Sequence, residues 1–314
     1  MIHARLRAAA ATLLVAPLLA NALDTLAPIK VTPNVYYVQG NPGVASAANE
    51  GFNSNAGFVV TREGVVVIDA LGTPDLGEGL IRAIRTVTAL PIRRLILTHY
   101  HADHYYGAVA FRRAGIEIWA HRSAQPYLDS GEPERRRSQR AQELYPWVDE
   151  SMPIVRADRW LDDTTRFSMG GIAFEVIHVG PAHAIDDSIV VVPGEGVVFS
   201  GDILFAGRIP FVGDADSSQW LTRIEQLLAL KPRYIVTGHG PMSTDPSHDL
   251  ALTRDYLVYL RAAMGRAVED FVPFEEAYAK TDWSRFASVP VFEPANRVNA
   301  YGTYLLMERE LLKR

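Results

Sequence analysis

With 314 residues, 48% of them hydrophobic and 21% charged, the chain has the apolar material for one large core or two modest domains, and it is neither disordered nor collagenous. A net charge of -5 without a long basic run argues against a nucleic-acid partner. The absence of cysteine excludes disulfides, thiolate nucleophiles, thiolate metal ligands and a lipoprotein anchor.

The first stretch, Met1 to Ala22, carries Arg5 and Arg7 ahead of an apolar run from Ala8 to Ala20 and closes on Ala20-Asn21-Ala22, an A-x-A pattern. It predicts a signal peptide over 1–22, cut after Ala22, and a chain that is periplasmic or secreted with no stable membrane anchor left after cleavage. An uncleaved anchor is the weaker alternative, because the apolar part is short and alanine-rich and no other run approaches the ~20 residues of a membrane span. Export without disulfides suits a bacterial periplasm, which permits them without requiring them.

Val35-Tyr36-Tyr37-Val38 is a short β-prone run ended by the turn residues Gly40-Asn41-Pro42-Gly43. Asn55 to Val60 and Val65 to Asp69 read as two strands about a tight turn at Arg62-Glu63-Gly64, the second apolar on both faces and therefore central in a sheet. Thr73 as N-cap and Pro74 then open a helix with Leu76, Leu80, Ile84 and Val87 at helical spacing. That helix returns the chain to the buried strand Arg94-Leu95-Ile96-Leu97. Strand, helix and strand predict parallel pairing, with Asp69 on the same sheet edge as the residues that follow Leu97.

Those residues are Thr98-His99-Tyr100-His101-Ala102-Asp103-His104. Along extended backbone His99 and His101 lie on one side and can grip one ion; Asp103 and His104 fall where a helix begins and can face a second. The pattern H-x-H-x-D-H after a threonine resembles the signature of the metallo-β-lactamase superfamily. The resemblance implies an α/β four-layer αβ/βα sandwich of two mixed β-sheets, with further ligands at later strand ends.

After the strand Ile116 to Ala120, residues 122–157 break the rhythm and are expected to form a helical insertion. The charged run Glu132-Pro133-Glu134-Arg135-Arg136-Arg137 reads as a solvated helix face. The alternative is a cover over the metal site, with Tyr145 and Trp147 lining a pocket. Phe174 to Val179 alternates like a strand and ends at Gly180-Pro181-Ala182-His183, where the resemblance places the third histidine of the first metal. Ser188–Val192 and Val197–Phe199 flank a Pro193-Gly194 turn and lead to Gly201-Asp202. Residues 201–208 look like the glyoxalase II branch, in which this aspartate bridges two metals; one large class of lactamases has cysteine there. Trp220, Ile224, Leu227 and Leu228 share a helix face. Arg233 to Val236 is a last buried strand, opening into Gly238-His239-Gly240-Pro241, which resembles the family's final histidine segment. From Pro246 onward the pattern is helical. The expected organisation is thus 1–22 signal peptide, 23–245 catalytic domain and 246–314 helical extension, a cap or a homo-oligomer contact.

By the resemblance, His99, His101 and His183 hold the first metal, Asp103, His104 and His239 the second, and Asp202 is shared. Imidazoles and carboxylates suit two Zn ions per chain, and also Fe or Mn. The implied reaction is attack by a metal-bound hydroxide on the thioester, ester or lactam carbonyl of a small molecule, with Asp103 orienting the hydroxide and taking its proton. Asp69 is either the acceptor behind a metal-bound histidine or a cap on backbone amides. Arg208 and Tyr105, with Tyr100 and Tyr106, are candidates for substrate contact. The chain also resembles exported metallohydrolases associated with quinoprotein systems. Competing readings are a mononuclear iron enzyme like persulfide dioxygenases, a β-lactamase, and a non-catalytic metal-binding protein. No role falls to His3, His121, His178 or His248.

Overall fold

The computed structural model describes residues 26–313, so the signal peptide expected over 1–22 lies outside the described residues. The first sheet has seven strands in the order β1 (Ile29–Lys30), β2 (Val35–Val38), β3 (Ala56–Thr61), β4 (Gly64–Ile68), β5 (Ile92–Ile96), β6 (Glu117–His121) and β7 (Arg159–Leu161). Pairing is antiparallel as far as β4 and parallel from β4 to β7. The second sheet has five strands, β8 (Thr164–Met169), β9 (Ile172–His178), β10 (Ser188–Val192), β11 (Val197–Phe199) and β12 (Tyr234–Val236), running in sequence order from one edge to the other. Only β11 and β12 are parallel within it.

Alternation along the central strands assigns each face its layer. Val66 and Ile68 of β4, Ile96 of β5 and Trp119 of β6 meet Val190 and Val192 of β10, Phe199 of β11 and Val236 of β12 in a core between the sheets. Their neighbours Val65, Val67, Leu95 and Ile118 point the other way, against α1 (Pro74–Val87) and α3 (Ala108–Arg113), which follows the short α2 (Ala102–Tyr105). Ile189, Val198 and Ile235 likewise face α6 (Ser217–Ala229) and the C-terminal helices α7 (Pro246–Glu269) and α9 (Phe292–Leu311). The four-layer sandwich follows from period-two strands buried on both faces.

The start of α1 forms as expected, with the Thr73 side chain accepting from Leu76 N and Pro74 in the first turn. It packs so closely on the loop before α3 that a Cβ on Gly77 would lie 2.2 Å from Gly107 O. The region after β6 is helical, with α4 (Gln125–Leu128) and α5 (Glu132–Leu144). The C-terminal segment adds α8 (Phe274–Lys280) between α7 and α9 and shares its core with α6 rather than forming a separate one. Among the described residues no helix is long and apolar enough to cross a membrane.

Candidate metal centre

Every expected ligand follows the carboxyl end of a strand, His99 to His104 after β5, His183 after β9, Asp202 after β11 and His239 after β12, and Asp69 follows β4 beside them. Cross-links between the sheets draw these loops together. Ser188 N donates to Thr98 O at 2.9 Å, and Asp186 Oδ2 accepts from Tyr100 N at 2.9 Å. Asn55, at the start of β3, donates through Nδ2 to Thr237 O and Gly240 O, each at 2.8 Å, and so fastens the His239 loop to the first sheet. Gly238 leaves room for a carboxylate, since a Cβ there would lie 2.0 Å from Asp202 Oδ1.

The seven residues gather as two adjoining groups, His99, His101, His183 and Asp202 in one and Asp103, His104 and His239 in the other, with the ligand atoms of each within 4.8 Å of one another. In the first, His101 Nδ1 stands 2.8 Å from His183 Nε2, and His183 Nε2 stands 3.2 Å from Asp202 Oδ2. In the second, His239 Nε2 lies 3.3 Å from Asp103 Oδ2. Asp202 faces both, with Oδ1 3.2 Å from His104 Nε2 and Oδ2 3.4 Å from His239 Nε2. Asp202, expected to be shared, thus lies within reach of histidines of both groups.

Whether cations fit here is decided by the far sides of the rings. His183 Nδ1 has the carbonyl of Phe211 at 2.9 Å, and His239 Nδ1 has the carbonyl of Asn53 at 2.7 Å. Carbonyls only accept, so these rings carry their proton at Nδ1 and turn a bare Nε2 inward. His104 Nδ1 donates to Asp69 Oδ2 at 2.9 Å. Thr98 Oγ1 donates to Asp69 Oδ2 at 2.8 Å and is thereby left to accept from His99 Nδ1 at 3.0 Å. Four imidazole lone pairs and two carboxylates therefore converge in a buried space. The inner atoms His99 Nε2, His104 Nε2 and Asp202 Oδ1 have no hydrogen-bond partner. Such a set is costly unless cations occupy its centre, and the residues fit divalent metal of the imidazole-and-carboxylate-binding class.

Asp69 serves in both of the ways the sequence left open: besides holding His104, its Oδ1 accepts from Thr98 N at 2.8 Å. Burial works against the charge of Asp202, but His239, His104 and His183 overcome it and hold the carboxyl well below the usual range. Asp103 is held low against burial by His104 and His239. Burial itself drives His99 well below its ordinary value, whereas the carboxylates, Asp202 foremost, outweigh burial at His104 and lift it.

The centre forms the floor of a cavity of about 980 Å³. Its lining takes in Arg135, Arg136, Gln139 and Arg140 of α5 and Val298, Tyr301 and Leu305 of α9. Arg208 lines the cavity, only 4% exposed, with Nη1 donating to Gly43 O at 3.0 Å and Nε unpartnered. Two expectations are corrected. Tyr105 does not line the cavity; helix α2 turns its ring into the core beside Tyr100 and Tyr106, and Tyr100 reaches the cavity instead. Tyr145 projects into solvent at 71% exposure and Trp147 donates to Ala47 O, so the covering helix presents arginines rather than aromatics.

Sequence reasoning did not single out Asn53, Asn55, Asp186 or the Phe211 carbonyl. Their roles run through backbone groups and leave no motif.

Comparison with known proteins agrees with this geometry. The family model described as Metallo-beta-lactamase superfamily matches residues 49–239, which span the whole ligand set. The α subunit of 2,4-dinitroanisole O-demethylase from Nocardioides sp. (strain JS1661) is 26% identical over 178 residues, covering 56% of this chain but only 49% of that subunit. A metallo-beta-lactamase type 2 from Elizabethkingia meningoseptica is 24% identical over 212 residues, 65% of this chain and 77% of that protein. In structure, the metallo-beta-lactamase from Pontibacter korlensis overlays with a TM-score of 0.59 at 23% identity, over 74% of this chain and 99% of its own. Ligand set, strand-end placement and a family match across more than half of its length together make this chain a member of the metallo-β-lactamase superfamily.

Proposed function

We propose that this chain is an exported, two-zinc hydrolase that opens the thioester, ester or lactam carbonyl of a small molecule carrying both an anionic group and an apolar portion. The observation that carries the reading is the inward turn of four histidine lone pairs around two carboxylates, each outer ring nitrogen held by an acceptor or a neighbouring hydroxyl. Bound there, divalent ions would supply Lewis acidity and lower the pKa of water from 15.7 to about 7.

The chain's own residues do the rest. Asp103 is the more open of the two carboxylates, its side chain 16% exposed against 4% for Asp202. Held ionised beside His239, it orients the attacking water and accepts its proton at the carboxylate. The buried Arg208 guanidinium, whose Nε has no partner, receives an acidic group next to the scissile bond. The α5 arginines extend that positive field, and Val298, Tyr301 and Leu305 exclude water from the apolar part.

The test is metal analysis combined with a turnover screen across thioesters, esters, lactones and cephalosporins, each with and without an acidic group. About two zinc ions per chain with hydrolysis of an acidic acyl substrate are expected. One iron per chain with oxygen uptake on a persulfide would replace the reading with an oxygenase, and metal binding without turnover would leave a binding protein. The names of the lactamase relatives are the reason to include lactams in the screen.

A further inference from the structure

Helix α9 inverts the usual pattern of a helix at a protein surface, in which apolar residues face the core and polar ones face water. Asn296 and Asn299 are buried at 0% exposure and Thr303 is buried with them, while Val298 and Tyr301 stay 50% and 49% exposed. The half-exposed pair belongs to an apolar stripe at helical spacing, Pro294, Ala295, Val298, Tyr301 and Leu305, and every member lines the cavity that holds the metal ligands. At ~1.5 Å per residue the stripe extends about 16 Å from Pro294 to Leu305. Val44, Ile185 and Phe211, three more exposed apolar side chains, line the same cavity. Exposed apolar groups gathered in one place mark a binding surface.

The stripe is held in place by the polar residues that α9 buries. Asn299 accepts from Val212 N at 2.7 Å and donates to Pro210 O at 2.8 Å. A Cβ on Gly302 would lie 1.6 Å from Gly213 O, so the helix sits directly on the loop that carries Phe211. The Tyr301 ring meets Phe274 edge to face, with centroids 4.9 Å apart. A surface fixed in advance adds little ordering cost when a ligand binds. The same cavity offers one polar anchor beside the metal ligands: the buried Arg208, whose Nη1 lies 3.5 Å from His239 Nδ1 and whose Nε has no partner. A ligand that satisfies both features carries an anionic group at Arg208 and a long apolar part along α9.

We propose that the substrate is an anionic amphiphile, an ester or thioester with an unbranched hydrocarbon chain that lies along the α9 stripe. The inference deepens the hydrolase reading and rests on it for the bond that breaks: the hydroxyl of water joins the carbonyl carbon, the carbon–oxygen or carbon–sulfur bond opens, and the proton leaves with the alcohol or thiol. A compact ring would cover one turn of the stripe and leave the rest in water, whereas an extended chain covers all of it. Each methylene withdrawn from water tightens binding by about fourfold, and a helix face that shields one side of the chain captures part of that gain.

The test measures kcat/KM of the metal-loaded full chain on two series, each below its micelle concentration. S-acyl mercaptoacetates, from acetyl to decanoyl, carry the chain on the acyl side; monoalkyl succinates, from ethyl to decyl, carry it on the leaving side. At least one series should gain about 100-fold or more from its shortest to its longest member, chiefly through KM. The exposed double substitution Val298→Ser/Tyr301→Ser should cut that gain at least tenfold. S-decyl mercaptoacetate, a thioether that cannot be hydrolysed, should bind more tightly than the S-ethyl compound by a similar factor in calorimetry. Tight binding of the decyl thioether without turnover of any ester would support the amphiphile site and remove the hydrolase reading. Turnover of the short esters with both series flat would keep the hydrolase and overturn the amphiphile. A double variant that retains the whole chain-length gain would also overturn it, as would a wild-type dimer that dissociates in the double variant, which would assign the stripe to a second copy of the chain.

Discussion

The two sheets contribute to the metal centre in different ways. The first gives four ligands from a single loop after β5, with Asp69 on the adjacent strand β4 to hold them. The second gives one ligand from each of three loops, His183, Asp202 and His239, separated by whole strands and by α6. A loop with four ligands needs little beyond its own backbone to keep them together. Three single ligands depend on neighbours far away in the chain, and the structure provides them: Asn55 fastens the His239 loop, and Asn299 of α9 fastens the loop behind His183 by accepting from Val212 N at 2.7 Å and donating to Pro210 O at 2.8 Å. Phe211, between those two anchors, offers its carbonyl to His183. The C-terminal helices thus act on the metal centre at one remove.

The contrast can be tested by substitution on either side. The largest effect is expected at the first-sheet loop: Asp103→Ala should lower turnover by about 10²- to 10⁴-fold, with an unchanged circular dichroism spectrum. A metal-replete Asp103→Ala protein of full activity would remove the assigned role. His239→Ala, a single ligand of the second sheet, should weaken the second ion by more than about 100-fold, seen as loss of close to one equivalent by metal analysis. Asn299→Ala touches no ligand, yet it frees the loop under His183 and should reduce affinity at the first ion by about 10-fold, with a stability loss of about 1–3 kcal/mol from buried groups left unpaired. Wild-type affinity in that variant would show that His183 needs no help from α9. The smallest effect belongs to Arg136→Ala on the cavity wall, which should raise KM a few-fold for an acidic substrate with kcat nearly unchanged.

Much of the centre was legible because metal ligation demands particular side chains, and those stand at the ends of apolar strands. His99, His101, Asp103 and His104 announce themselves within six residues, Asp202 and His239 each follow a short apolar strand and adjoin glycine, and His183 follows the alternating strand β9 and a Gly180-Pro181 turn. Tyr105 was misplaced because residue type does not say which way the short helix α2 turns a ring: Tyr105 and Tyr106 are both buried in the core, and Tyr100, ahead of that helix, reaches the cavity. The α5 arginines read as solvated because ion pairs such as Arg135 with Glu132 satisfy that reading equally well; only the tertiary fold, which brings α5 and α9 to one cavity, makes them part of its lining.

The sequence by itself determined the strand pattern, the candidate ligands and hence the family, since apolar periodicity and donor chemistry are properties of residues near one another in the chain. Tertiary structure alone decided which backbone carbonyls hold the histidine rings and which helix faces line the cavity. Such contacts join segments distant in sequence through groups every residue possesses, so their formation depends on packing and leaves no mark in local composition.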